Sequence, residues 1–171
     1  MSYPRKEYNP DQPKKYWTMQ EAKIKIAAYC AYQERYQEEV RNKLSEKGIF
    51  GNPAEELISL MIEEDFLNEE RFAQAFVRGK YKLKKWGKNK ILQELKFRQI
   101  SPNCIKSGMK EIDTEEYWQN LFQLTEKKWS LIKDKDLLKK KYKVQQYLIS
   151  RGYEIDLIQR AIDEMISDQN L

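Results

Sequence analysis

The stretch NEERFAQAFVRGKYKLKKWGKNKILQELKFRQISPNCIKSGMKEI, residues 68–112, decides the fold. Asn68 offers a side-chain oxygen to a helix N-terminus, and Phe72, Phe76, Val77 and Leu83 then recur along a helix. Gly87 interrupts that pattern before Ile91 and Leu95 resume it. Ser101-Pro102 opens a third segment, with proline where a first helical turn tolerates it and Ile105, Met109 and Ile112 inward. Three short helices follow one another, each too small to bury a core alone. Packed together, they form one supersecondary unit.

The same grammar extends to both sides. Upstream, Thr18 and Glu21 have the spacing of a capping box, and Ile24, Ala27, Ala28, Ala31 and Tyr32 are expected to share the inward face. A helix over 34–47 follows with Val40 and Leu44, ended by Gly48; Tyr29, Tyr32 and Tyr36 are placed at the first interhelical seam. Asn52-Pro53 then starts a helix burying Leu57, Ile58, Met61 and Ile62. Downstream, Thr114-Glu115-Glu116 begins a helix with Trp118, Leu121, Phe122, Thr125, Trp129 and Ile132 on one stripe, both tryptophans in the core. Val144 and Leu148 precede Gly152, and Ile158, Ala161, Ile162 and Met165 mark the last helix.

Leu44, Leu95 and Leu148 stand at equivalent places, 51 and 53 residues apart, and each leads through Ile49, Ile100 or Tyr153 into a helix bearing Leu57, Ile105 or Ile158. Such a period signals stacked units that lean on their neighbours. The expectation is an all-α protein, an elongated curved array of three tandem three-helix repeats over 18–66, 67–113 and 114–171. A flexible polar arm over 1–17, punctuated by Pro4, Pro10 and Pro13, precedes them.

Composition narrows the chemistry. The 171 residues contain no histidine, which removes Ser-His-Asp and Cys-His catalysis, an imidazole base and HExxH zinc sites. Cys30 and Cys104 cannot by themselves complete a tetrahedral zinc site and read as reduced, small apolar residues. Glu63, Glu64 and Asp65 are consecutive on a helix and splay about 100° apart, so they do not converge on one ion. No GxxxxGK[ST] or GxGxxG string occurs. No catalytic residue, metal or cofactor is expected, and the chain reads as a binder and not an enzyme. No stretch approaches the roughly 20 apolar residues of a membrane span, which points to a soluble cytoplasmic protein.

Charge is segregated. Residues 54–70 hold seven carboxylates and no cation; residues 78–98 hold Arg78, Lys80, Lys82, Lys84, Lys85, Lys88, Lys90, Lys96 and Arg98 against Glu94 alone. With a formal net charge of +5, this favours an anionic partner. Arg78, Lys82 and Lys85 fall at i, i+4 and i+7 and form one ridge suited to phosphates; the alternative is a merely solvating face. Trp86 either stacks on a partner or packs the corner between two helices.

These residues carry a resemblance. Phe66-Leu67-Asn68-Glu69-Glu70-Arg71-Phe72-Ala73, then Ala75-Phe76-Val77-Arg78, Trp86-Gly87-Lys88-Asn89-Lys90-Ile91 and Glu94-Leu95, is similar to the signature of the RecX family of bacterial recombinase regulators. Two positions depart from it: Asn68-Glu69 replaces an acidic pair, and Gln99 stands where glycine is usual. The resemblance implies a modulator of the RecA recombinase that lies in the groove of RecA filaments on single-stranded DNA. It would limit ATP hydrolysis, strand exchange and filament growth and so restrain the SOS response. The implied partners are RecA and single-stranded DNA, with double-stranded DNA second, met by a monomer. Arg78, Lys82, Lys85, Trp86, Lys88, Lys90 and Arg98 are the contact residues expected for RecA filament or DNA. The competing reading is a generic helical DNA-binding protein that grips phosphates without RecA; a protein-only scaffold is the third.

Overall fold

The computed structural model describes residues 16–169. Among the described residues run nine helices and no strand: α1 (Met19–Tyr32), α2 (Gln37–Glu46), α3 (Asn52–Glu63), α4 (Glu69–Lys82), α5 (Lys88–Phe97), α6 (Pro102–Met109), α7 (Thr114–Leu131), α8 (Leu137–Ser150) and α9 (Ile155–Gln169). They pack as three successive three-helix sets, α1–α3, α4–α6 and α7–α9. The chain divides into two compact units, one ending at Leu67 and one beginning at Asn68, so the second and third sets share a unit.

Local chemistry starts the helices where the sequence implies. Thr18 Oγ1 accepts from the Glu21 amide at 3.2 Å while the Thr18 amide donates to Glu21 Oε2 at 3.0 Å. Asn68 Oδ1 accepts from the Arg71 amide at 2.9 Å. The third set begins at Thr114 as expected, capped by Asp113, whose carboxylate accepts from the Glu116 amide at 2.8 Å.

The middle helices end alike. Ile49, Ile100 and Tyr153 each donate a backbone bond to Leu44, Leu95 and Leu148 respectively, and the residue before each has positive φ: Gly48 at 84°, Gln99 at 57° and Gly152 at 93°. All three leucines are fully buried. The turn is therefore retained at Gln99, at the steric cost of a side chain in the left-handed region.

Several faces differ from the sequence expectation. In α1 the buried residues are Ala22, Ile26 and Cys30, whereas Ile24 is 72% and Tyr32 84% exposed, with Ala28 and Ala31 also outward. Apolar residues stand on both sides of this helix, so spacing alone could not choose the inner one. Ile62 is exposed, and Leu83 lies past the last turn of α4, 83% exposed; Tyr81 fills the inward place instead. Trp129 is buried as expected, but Trp118 is half-buried beneath the Arg160 guanidinium, 4.5 Å from its ring centroid.

Of the expected N-terminal arm, residues 1–15 lie outside the described residues. Trp17 belongs to the first unit and not to an arm. Its amide donates to the Lys47 carbonyl at 3.1 Å, and its half-buried ring packs on the first core with Lys25 and Lys47 ammonium groups 5.4 and 5.7 Å from its centroid.

Candidate interaction surface

The basic stretch begins in α4 and runs through the corner into α5, so its geometry depends on how two helix ends are satisfied. A helix leaves its last carbonyls and first amides without partners of their own. At this corner the third helical set supplies them. Asn120 Nδ2 donates to the Tyr81 carbonyl at 3.1 Å, Tyr153 Oη donates to the Lys85 carbonyl at 2.9 Å, and Arg151 Nη2 donates to the Lys84 carbonyl. In return, the Lys88 amide donates to Tyr117 Oη at 2.8 Å, and the Gly87 and Asn89 amides donate to the carbonyls of Arg151 and Gly152 at 2.8 and 2.9 Å. Tyr117 Oη in turn donates to Glu154 Oε2 at 2.6 Å.

Glycine at position 87 allows this approach. A Cβ there would stand 2.1 Å from the Gly152 carbonyl carbon and 2.2 Å from the Tyr153 nitrogen, both backbone atoms. Burial raises the Tyr117 phenol well above its ordinary pKa, and the hydrogen bond to Glu154 adds to the shift; burial likewise raises Tyr153. The corner is a desolvated junction.

The seven expected contact residues divide into two groups. Four engage side chains elsewhere in the protein, Arg78 and Lys82 while remaining exposed. Arg78 pairs with Glu111 at 2.8 Å, Lys82 with Glu116 at 3.5 Å, Lys85 Nζ donates to Gln123 Oε1 at 2.9 Å, and Lys88 Nζ sits 4.9 Å from the centroid of Tyr117. The hydrogen bond to Tyr81 and the charge of Glu116 both raise the Lys82 pKa. Moreover, α4 ends at Lys82 and Lys85 has φ 51°, so the expected three-residue ridge does not continue as one helix face.

The other three residues join a different feature. Lys90 Nζ lies 4.5 Å from the Trp86 centroid, Lys80 Nζ lies 4.7 Å from Trp86 and 5.1 Å from Phe76, and Arg98 Cζ lies 4.9 Å from Phe76. These contacts make a continuous row, Lys90–Trp86–Lys80–Phe76–Arg98, across α4 and α5. Glu94 pairs with Arg98 at 2.5 Å at one end. Both rings are half-buried, so each serves as corner packing on one side and as a seat for cations on the other. Sequence spacing missed Lys80 because it belongs to no ridge with Arg78; its partners come from the corner, which the period does not describe. Arg151, Tyr117 and Tyr153 were missed for the same reason.

The fold and this corner define a class: all-α proteins of tandem three-helix domains, in which two consecutive domains complete each other's helix ends. Residues 68–109 match the RecX second three-helix domain and residues 115–162 the RecX third three-helix domain. The chain is similar to the regulatory protein RecX of Clostridium perfringens (strain 13 / Type A), 29% identical over 153 residues that cover 86% of this chain and 70% of that protein. It is 26% identical to the regulatory protein RecX of Bacillus cytotoxicus over 152 residues, 89% of this chain and 56% of the relative. The crystal structure of RecX from Lactobacillus salivarius has the same fold, with a TM-score of 0.75 at 23% identity over 85% of this chain and 95% of that one. This chain belongs to the RecX family.

Among the described residues no helix is long and apolar enough to cross a membrane.

Proposed function

We propose that the chain is a non-catalytic regulator of the RecA recombinase that acts in the cytoplasm as an inhibitor. It lies as a monomer in the groove of RecA filaments on single-stranded DNA, limiting filament growth, ATP hydrolysis and strand exchange and so restraining recombination and the SOS response. Membership in a family whose relatives are called regulatory proteins supports the regulatory part of this reading. The observation that carries the contact surface is the row Lys90–Trp86–Lys80–Phe76–Arg98: cations seated on aromatic rings suit a strand that offers phosphates and bases together. Arg78, Lys82 and Lys85 contribute less to phosphate binding, because each already pairs with a side-chain oxygen within the protein, and Arg98 at the end of the row is held likewise by Glu94, so Lys80 and Lys90 carry most of the row's charge.

The test is a titration of the pure protein into RecA filaments on single-stranded DNA, following ATP hydrolysis and filament length, with binding to the naked oligonucleotide measured in the same salt. Loss of hydrolysis at protein-to-RecA ratios well below one, with shortening, identifies capping of filament ends; stoichiometric loss without shortening identifies groove occupation. Replacing Lys80 and Lys90 together by glutamate is expected to weaken binding at least tenfold and to flatten its salt dependence, about 0.7 in log-log slope per lost contact on a single strand. The same reversal at Arg78 and Lys82 is expected to do less. Tight binding to naked DNA with no effect on RecA would replace this reading by a DNA-binding protein that acts on phosphates alone.

A further inference from the structure

The cationic row depends on how the chain turns after α4. Lys85 occupies the left-handed region at φ 51°, a conformation that a lysine keeps only where its surroundings hold it. The holding groups come from the turn between α8 and α9. The Lys84 carbonyl accepts from Arg151 Nη2, and the Lys85 carbonyl accepts from Tyr153 Oη at 2.9 Å and from Arg151 Nη2 at 3.4 Å. Gly87 donates its amide to the Arg151 carbonyl at 2.8 Å. Residues 84, 85 and 87 are thus tied to Arg151 or Tyr153, and the residue among them is Trp86. Its own amide returns to the Lys80 carbonyl at 3.0 Å, which brings its ring within reach of both the Lys80 and Lys90 ammonium groups.

We infer that Arg151 and Tyr153 are positioning residues for Trp86, so that the third domain builds the contact row carried by the second. The inference rests on the reading of that row as the contact surface. It gives the tandem arrangement a specific role: without the α8–α9 turn against it, the α4–α5 corner loses the donors that fix residues 84 and 85, and the tryptophan loses its place between two lysines. Arg151 is also a cation near a surface that attracts polyanions, so its loss would weaken binding through charge alone. Tyr153 separates the two effects, because removing its hydroxyl changes no charge at neutral pH.

The full-length protein labelled with 5-fluorotryptophan gives fluorine resonances from Trp17, Trp86, Trp118 and Trp129, and the line lost in Trp86→Phe assigns Trp86. Tyr153→Phe and Arg151→Ala are expected to shift or broaden that line while the other three stay in place. Affinity for an oligothymidylate should fall about threefold and about tenfold respectively, the scale of one and of two lost hydrogen bonds. If the Trp86 line is unmoved in both Tyr153→Phe and Arg151→Ala, the inference is overturned whatever happens to affinity. If the line moves and affinity for oligothymidylate and RecA filaments is unchanged, Arg151 and Tyr153 position Trp86 as inferred, and it is the assignment of the row as a contact surface that fails.

Discussion

The corner between α1 and α2 and the corner between α4 and α5 solve the same problem with different resources. In the first, the group that serves the Tyr29 carbonyl comes from the same short segment. Arg35 stacks 3.9 Å above the Tyr29 ring, donates to the Tyr29 carbonyl at 3.5 Å and pairs with Glu39 at 2.5 Å, and the Tyr29 hydroxyl reaches the same carboxylate at 3.4 Å. In the second, the donors are Asn120, Arg151 and Tyr153, which stand in another helical set. A helix end must find partners somewhere. At the first corner the Tyr29 carbonyl is served from its own chain segment, whereas the second corner borrows its donors from the third set, with which it shares a compact unit.

The comparison can be broken first through the cores. Leu44 and Leu148 occupy equivalent, fully buried positions, and truncating either to alanine is expected to cost about 2–5 kcal/mol. Under amide hydrogen exchange, Leu44→Ala should expose α1–α3. Leu148→Ala should instead lower protection in α4 and α5 as well as α7–α9, because those helices share ends. Unchanged protection in α4 and α5 would show that the shared corner does not couple the domains.

Gly87→Ala is the next largest effect. The added Cβ meets only backbone of Gly152 and Tyr153, which cannot rotate away, so a loss of about 2–3 kcal/mol is expected in chemical denaturation of the 68–169 unit. A neutral outcome would mean that the two backbones can separate without penalty.

Tyr117 sharpens the contrast through pH. Its folded pKa lies above the ordinary value of 10.0, raised by burial and then by Glu154, so the folded state holds the proton more tightly than the unfolded one. The contribution is fully present below pH 10 and is lost as pH rises above it, because only the unfolded chain then releases the proton. Stability of the 68–169 unit should therefore fall with increasing pH from about pH 10. Tyr117→Phe should flatten part of that decline while costing about 1–2 kcal/mol at neutral pH, since it strips partners from Lys88 N–H and Glu154. A decline of the same steepness in the variant would assign the effect elsewhere.

The smallest effect is a gain. Gln99 occupies the left-handed turn position held by glycine at 48 and 152, and Gln99→Gly should stabilise by up to about 1 kcal/mol in thermal unfolding, with the oligonucleotide affinity unchanged.

Much of the fold was legible because its signals are local. Capping oxygens at Thr18 and Asn68, prolines at first helical turns and the leucine register at 44, 95 and 148 each act within a few residues, and all appear in the structure as read. The inward face of α1 was not legible, since Ile24, Ala28 and Tyr32 and Ala22, Ile26 and Cys30 are equally good stripes until a neighbouring helix chooses one. The candidate surface was half legible. Charge density pointed to the stretch that carries the cation–aromatic row and included Trp86, Lys90 and Arg98, but it grouped Arg78, Lys82 and Lys85 by helical spacing across a point where the helix has already ended.

What the sequence determined alone is the helical class, the threefold repetition and the position of the cationic stretch, all consequences of short-range sterics, capping and composition. Tertiary structure decided which cations remain available and where Trp86 stands. Those outcomes depend on residues up to 68 positions away in the chain: Glu111 and Glu116, which pair with Arg78 and Lys82 at the surface, and Tyr117, Arg151 and Tyr153, brought in by the demand that helix ends be hydrogen-bonded.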